Sequence, residues 1–269
     1  MTTTNAPSAT ADWFRPSFAD RVAVVTGASA GIGLATARAL IDGGATVIVN
    51  ARRAGRLDEL VEMAPERVRP IAGDATEPEL VHQMLDAALQ LAGAEADLVV
   101  ANAGRGLKGS PLDSDADEWD EVLDINTTAA ARLMRAAVRR MLADVGEHKG
   151  PPVRPRDVVL LGSSVGRNLS PFSSFYGAAK AAAHMIAEAI RREAGPRGIR
   201  VTTIEPGVVA TEFQDAAGYD RATFGEFMDE IGPVLTPEDV ARTILFVCAH
   251  PAGVHVNEVM VRPTRQSYP

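Results

Sequence analysis

The sequence predicts a single α/β domain built on a doubly wound, seven-stranded parallel sheet with helices on both faces. Three observations carry this expectation. Short apolar runs rich in β-branched residues alternate with helix-like segments from residue 22 to residue 261, with no internal repeat and no long linker. The first of these runs leads directly into a glycine-rich turn and then a helical pattern, the strand–turn–helix start of such sheets. A chain of 269 residues, 46% hydrophobic and 23% charged, is long for one ordinary domain but lies within the range of one α/β domain with a sizeable core.

Taken in order, Val22–Thr26 is a short apolar, β-branched strand. Gly27-Ala-Ser29-Ala30-Gly31-Ile32-Gly33 follows at once, and residues 34–41 continue as helix. Glycines there permit a tight turn and let backbone N–H groups approach a diphosphate, while the positive end of the helix favours the anion. The spacing is Gly-x-x-x-Gly-x-Gly, distinct from the general dinucleotide fingerprint, and a turn with no ligand has the same spelling. Further strands are predicted at 46–50, Val68–Ala72, 98–102, 158–162, 201–205 and 255–261, with helices between them, among these 119–142, 178–193 and 241–249.

The stretch from Ser163 to Lys180 carries the chemistry. Ser163 lies thirteen positions before Tyr176, and Lys180 four after it at the start of an alanine-rich helical run. An i, i+4 pair puts phenol and ammonium on one helix face, where the cation favours the phenolate and draws the tyrosine from its ordinary pKa of about 10 toward neutrality. Ser163 is placed to hydrogen-bond the reacting oxygen. By itself, Tyr-x-x-x-Lys also describes an ordinary helix surface pair.

With these motifs in one order, the chain resembles the short-chain dehydrogenase/reductase family from about Arg21 to Val261. The family's Thr-Gly-x-x-x-Gly-x-Gly stands here as Thr26 to Gly33, its Asn-Asn-Ala-Gly as Ala101-Asn102-Ala103-Gly104, and its Ser and Tyr-x-x-x-Lys as Ser163, Tyr176 and Lys180. Asn126 matches the family's helix asparagine, which helps hold a water beside the lysine. Pro206-Gly207-Val208-Val209-Ala210-Thr211 matches the segment that meets the nicotinamide carboxamide. The resemblance implies a Rossmann sheet of order 3-2-1-4-5-6-7, hydride exchange with a small carbonyl or alcohol substrate, Tyr176 as acid/base, and assembly as homodimer or homotetramer. Two departures stand out: Ala101 replaces the first asparagine, and the doublet Ser163-Ser164 leaves two hydroxyls to choose between, the thirteen-residue offset favouring Ser163.

Cofactor choice is argued from the end of the second strand. An acidic side chain there would bond the ribose 2′-OH of NAD; this chain has Ala51 followed by Arg52 and Arg53, which favours the 2′-phosphate of NADP(H). The alternative is that both arginines solvate a loop. Asp74, followed by Ala75, resembles the family's adenine-contacting acid, a role compatible with that of a plain helix N-terminal acid.

Substrate signals are weaker. Residues 209–235 carry Phe213, Tyr219, Phe224, Phe227, Met228 and Ile231 among Asp215, Asp220 and Glu226, a spacing that fits a mobile lid or equally surface helices packed on the body. Arg105, Lys108 or Arg167 is a candidate to hold a substrate carboxylate. The segment from Thr236 and the 255–266 tail look like the NADP-dependent branch of 3-hydroxy acid dehydrogenases and ketoreductases.

Net charge of −8 argues against a nucleic-acid surface. No apolar run approaches the roughly 20 residues that span a bilayer, and Met1 to Asp20 lack a secretory pattern, so the expectation is a cytoplasmic protein with no membrane partner. That N-terminal stretch reads as a flexible arm whose Trp13, Phe14 and Phe18 are apolar enough to dock on the body or a neighbour, and 144–157, with Lys149, Arg154 and Arg156, as an exposed loop. The single Cys248 reads as a small core residue, and the five histidines lack metal-ligand spacing, so no catalytic metal is expected. Two rival functions share the motifs: a non-catalytic NADP-binding regulator, and a nicotinamide-using lyase or epimerase without net redox change.

Overall fold

The computed structural model describes residues 17–146, 150 and 152–268. Seven strands form one sheet in the order β3-β2-β1-β4-β5-β6-β7, every neighbouring pair parallel: β1 (Val22–Thr26), β2 (Thr46–Ala51), β3 (Val68–Ala72), β4 (Leu98–Ala101), β5 (Asp157–Leu161), β6 (Arg200–Pro206) and β7 (Glu258–Val261). Parallel strands covered on both faces are apolar on both faces, and that accounts for the hydrophobic runs of the central β1 and β4, whereas the edge strands β3 and β7 carry exposed residues. Period-2 alternation assigns each side chain to one of two cores. Ala23, Val25, Val47, Val49 and Val159 join Leu40 of α1 (Gly31–Asp42), Leu60 of α2 (Asp58–Met63) and Ile244 of α9 (Pro237–Cys248). Val22, Val24, Ile48, Val158 and Leu160 meet Met84 of α3 (Pro78–Ala92), Met134 of α5 (Ala130–Val145) and Ala183 of α6 (Ser174–Ala194).

Several boundaries differ from expectation, each for an identifiable reason. The predicted helix 119–142 is interrupted: α4 (Trp119–Leu123) passes through a π-helical turn (Asp124–Ala129) before α5 begins. Asn126 causes or stabilises this widening, since its side-chain amide donates to the Val122 carbonyl at 3.0 Å, four residues back. α6 starts four residues earlier than predicted, which puts Tyr176 in its first turn. The last strand starts at Glu258 instead of 255, because the His255 ring turns back to the Val201 carbonyl and Arg200 draws in the Val254 carbonyl. α9 opens with a capping box in which Thr236 and Asp239 satisfy each other's backbone N–H.

At the N-terminal end, Phe18 is 2% exposed and packs in the first core, its N–H donating to the Gly43 carbonyl at 2.7 Å, so the chain is docked from residue 17 onward. Trp13 and Phe14 lie outside the described residues, as does Lys149. Arg154 and Arg156, expected as solvated surface, reach Asp97 and Asp144 respectively. Cys248 is buried at the end of α9 and its thiol is pushed well up by burial. No helix among the described residues is long and apolar enough to cross a membrane.

Candidate active site

The carboxyl ends of the strands open into a cavity of about 480 Å3. Every predicted catalytic and cofactor-binding residue except Gly33 lines it. Gly33 instead lies beneath the turn, where a Cβ would sit 2.3 Å from the Gly27 carbonyl oxygen, so its role is to let α1 pack against β1.

At one end of the cavity, Gly27 and Gly31 have φ of +67° and +53°, a left-handed conformation that L side chains rarely adopt. They bend the chain so that α1 points its N-terminus at the cavity, where Ala30 caps it without a side-chain hydrogen bond and no acid stands in the first turn. Ser29, Ala30, Gly31 and Ile32 thereby border an anion-attracting helix end. Thr26 and Asn102 lock this turn to β4. The Thr26 hydroxyl accepts from the N–H groups of Asn102 and Ala103, each at 3.1 Å, and the Asn102 amide donates to the carbonyls of Thr26 and Gly27. The Asn102 side chain is therefore committed to shaping the turn, while Ala103 and Gly104 supply open backbone to the cavity. Asn50, which the sequence reading did not single out, is 1% exposed and ties β2 to β3 through the carbonyls of Ile71 and Gly73.

Arg52 and Arg53 stand exposed at the rim. Arg53 lies 3.8 Å from the Glu212 carboxylate, which Arg56 also meets at 3.1 Å. Arg52 enters no ion pair among the described residues and adds to the field on Asp74. That carboxyl is held below its ordinary range, first by the Thr76 N–H at 3.0 Å and then by the Thr76 hydroxyl and Arg52.

At the reactive end, Tyr176, Lys180 and Asn126 are all buried. Ser163 stands close enough to the Tyr176 hydroxyl to draw its pKa down, whereas Ser164, 2% exposed, turns its carbonyl to Asn168. The i, i+4 spacing predicts a phenol drawn toward neutrality, and here the structure differs. Burial pushes the Tyr176 phenol well above its ordinary value, the neighbouring Tyr219 adds to this, and Ser163 only partly offsets it. Lys180 stands with its ammonium 5.8 Å from the tyrosine ring centroid and donates to the Leu161 carbonyl at 2.8 Å. Its own pKa is lowered by burial to about 8. Asn126 spends its amide donors on the carbonyls of Arg105 and Val122, and its Oδ1 is buried with no hydrogen-bond partner. Gly104 borders that oxygen, and a Cβ there would come within 2.6 Å of it.

Two buried groups behind Ser163 were missing from the sequence reading. His184 accepts the Ser163 N–H through Nε2 at 3.3 Å, and burial holds it neutral, with a pKa of about 4. Its Nδ1 faces Glu205, 1% exposed, at 3.7 Å. The signal for His184 was its place four residues after Lys180, continuing the Tyr176–Lys180 face. Nothing in the sequence paired it with Glu205.

The proposed carboxylate holders are otherwise engaged or distant. Arg167 lies outside the cavity lining, its Nε 2.7 Å from both Glu205 oxygens and its Nη2 2.6 Å from Glu258. Arg105 pairs with Glu118 and Glu121. Lys108 is exposed and does not line the cavity. Pro206, Gly207, Val209 and Thr211 border the reactive end, braced by the C-terminal tail: Gln266 Oε1 accepts the Val208 N–H at 3.0 Å. α7 (Phe213–Ala216) and α8 (Arg221–Ile231) then cross the cavity, Phe213 standing 5.4 Å from the Tyr176 ring. Among the described residues, no group of three or more His, Cys, Asp or Glu side chains is placed to hold a metal ion.

Comparison with known proteins agrees with this geometry. A family model described as short chain dehydrogenase matches residues 21–222. An uncharacterized oxidoreductase of Staphylococcus aureus (strain MRSA252) is 31% identical over 245 residues, covering 91% of this chain and 97% of that protein. Among solved structures, a closed form of serine dehydrogenase complexed with NADP+ superposes with a TM-score of 0.77 at 29% identity, covering 91% of this chain and 96% of that one. An alcohol dehydrogenase from the archaeon Thermococcus sibiricus, complexed with 5-hydroxy-NADP, gives 0.76 at 26% identity, covering 93% and 99%.

Proposed function

The chain belongs to the short-chain dehydrogenase/reductase family, and on that premise we propose that it interconverts a secondary alcohol, or hydroxy acid, and its ketone with NADP(H). The observation that carries the reading is that Ser163, Tyr176 and Lys180 border the same cavity as the open N-terminus of α1. NADP(H), when bound, supplies or accepts the hydride.

The residues present fit such a cofactor. The first-turn N–H groups of α1, reached through Gly27 to Ile32, suit a diphosphate, and Arg52 with Arg53 suits a 2′-phosphate. Asp74 and Ala75 would border the adenine, Asn102 to Gly104 the middle of the molecule, and Pro206 to Thr211 the nicotinamide end. Lys180, which lines the same cavity, would hold the ribose hydroxyls at the nicotinamide end.

Tyr176, with its pKa held high, stands as a protonated phenol near neutrality, the form that gives a proton to a carbonyl oxygen. Ser163 shares that oxygen and orients it. Lys180 near pH 8 is partly charged, and its ammonium stabilises the phenolate left after proton transfer. The unpartnered Asn126 Oδ1 is suited to a water that carries a proton toward Lys180. We extend the proposal to residues 209–235 as the substrate lid, to cytoplasmic residence, and to a homodimer or homotetramer, which sedimentation would establish or refute.

The test is spectrophotometric turnover with NADPH and with NADH against β-keto acids, cyclic ketones and aromatic ketones. NADPH consumption that disappears in Tyr176→Phe supports the reading; equal turnover in that variant, or turnover that leaves the cofactor's redox state unchanged, overturns it.

A further inference from the structure

The substrate side of the cavity is built from two chain segments. Phe172 comes from the loop ahead of α6, while Phe213, Tyr219, Phe224 and Phe227 come from the segment between β6 and α9. Phe172, Tyr219, Phe224 and Phe227 form one set of touching rings, and Phe213 stands apart from it beside Tyr176. Phe172 meets Phe224 edge-on at 5.4 Å and Phe227 at 5.3 Å, Tyr219 lies 4.7 Å from Phe224, and Phe213 lies 5.4 Å from the Tyr176 ring. Aromatic walls at these separations present apolar faces and edges that accept another ring by stacking or edge contact.

The polar groups on this side are neutral and already bonded among themselves. The hydroxyls of Ser170 and Ser173 lie 3.1 Å apart, and the Ser170 hydroxyl also accepts the N–H groups of Phe172 and Ser173. The arginines expected to hold a carboxylate are spent on Glu205, Glu258, Glu118 and Glu121. A carboxylate placed among these rings would lose its hydration, and the nearest cations lining the cavity, Arg105 and Lys180, are already engaged by Glu118 and Glu121 and by the Leu161 carbonyl, so its burial costs several kcal/mol.

From this enclosure we propose that the substrate is an uncharged ketone or secondary alcohol with a ring attached to or fused at the carbinol carbon, and that hydroxy and keto acids are excluded. The proposal rests on the oxidoreductase reading above and narrows it; it also separates this chain from the hydroxy-acid branch that its C-terminal motifs resemble. In the reduction direction the carbonyl carbon gains hydride from NADPH and its oxygen gains the Tyr176 proton, leaving alcohol and NADP+.

The experiment uses 1-tetralone and acetoacetate as probes, each measured in two ways: ligand-observed NMR binding to the NADP+-loaded protein, and NADPH oxidation. The expected result is that 1-tetralone binds and is reduced with kcat/KM about a hundredfold or more above that of acetoacetate. Phe227→Ala and Phe172→Ala, made separately so that one misfolded variant does not decide the matter, should each raise KM for 1-tetralone about tenfold while NADP+ affinity stays within about twofold. Saturable 1-tetralone binding, weakened in both variants but without NADPH oxidation, would support the pocket assignment and count against the redox reading. Acetoacetate bound or reduced better than 1-tetralone would overturn the proposal and leave the redox reading intact. Absence of 1-tetralone binding would also overturn it.

Discussion

At the amino ends of the central strands, Arg21, Asp97, Asp157 and Arg200 form a buried network. Arg21 reaches Asp97 at 2.9 Å and Asp157 at 2.7 Å, and Arg200 grips both Asp157 oxygens at 2.7 and 2.8 Å. Burial opposes the charge on Arg21, and the two carboxylates outweigh it, so the guanidinium is held above its ordinary pKa. At the carboxyl ends of the same strands, equally buried groups are left poorly paired: Asn126 Oδ1 has no partner, the Tyr176 phenol is pushed up, and Lys180 is pushed down to about 8. One sheet thus has a pole where charge is neutralised and a pole where polar capacity is left open. The difference teaches which buried polar residues serve the fold and which are available for chemistry, since an unpaired buried group costs stability and persists where it has another use.

Substitutions at the two poles should separate cleanly. The largest effect is expected for Tyr176→Phe, which should reduce kcat by about a thousandfold with thermal unfolding and NADP+ affinity little changed; a matching loss of melting temperature would place Tyr176 among the structural groups. Asp157→Ala, at the opposite pole, should lower unfolding free energy by about 3–5 kcal/mol by leaving the buried Arg200 without a carboxylate and Arg21 with Asp97 alone, while molecules that remain folded keep their NADP+ affinity. Denaturant titration paired with cofactor titration reads both quantities.

A smaller, pH-dependent effect sharpens the comparison at His184. Its folded pKa of about 4 lies below the ordinary 6.5. Between those values the unfolded chain binds more protons than the native one, so stability rises with pH through that window and is lost as pH falls toward 4. The imidazole should contribute about 3 kcal/mol of this acid sensitivity. Urea unfolding from pH 4 to 7 should show a shallower slope in His184→Asn; parallel slopes would remove the residue from the account. The smallest expected effect is at the rim, where Arg52→Ala should weaken NADP+ about tenfold through loss of a charge-assisted contact, with NAD+ affinity unchanged. Equal weakening of both cofactors would count against a 2′-phosphate role.

Much of the fold was legible because buried parallel strands leave a signal in every residue: runs such as Val22–Thr26 are apolar on both faces, and their alternation with helical periods implies the crossovers. The glycine turn and the Ser163, Tyr176, Lys180 spacing were legible because each depends on neighbours within one turn or one helix. The π-turn was not, since it is accompanied by a bond from the Asn126 amide to the Val122 carbonyl that residue spacing does not announce. The partners of Arg167 were not legible for a related reason: it is four residues from Ser163 in the chain, yet it pairs with Glu205 and Glu258.

What the sequence by itself determined was the kind and order of the elements, the motifs at their ends and the chemical types available to the site, all properties of local spacing. Only the tertiary structure decided which of those groups are paired, how far each is removed from water, and that Tyr176 is raised where the spacing alone predicts it lowered. Desolvation and Coulomb energy depend on distance through space, and residues as far apart in the chain as Arg21 and Asp157 meet at 2.7 Å after folding.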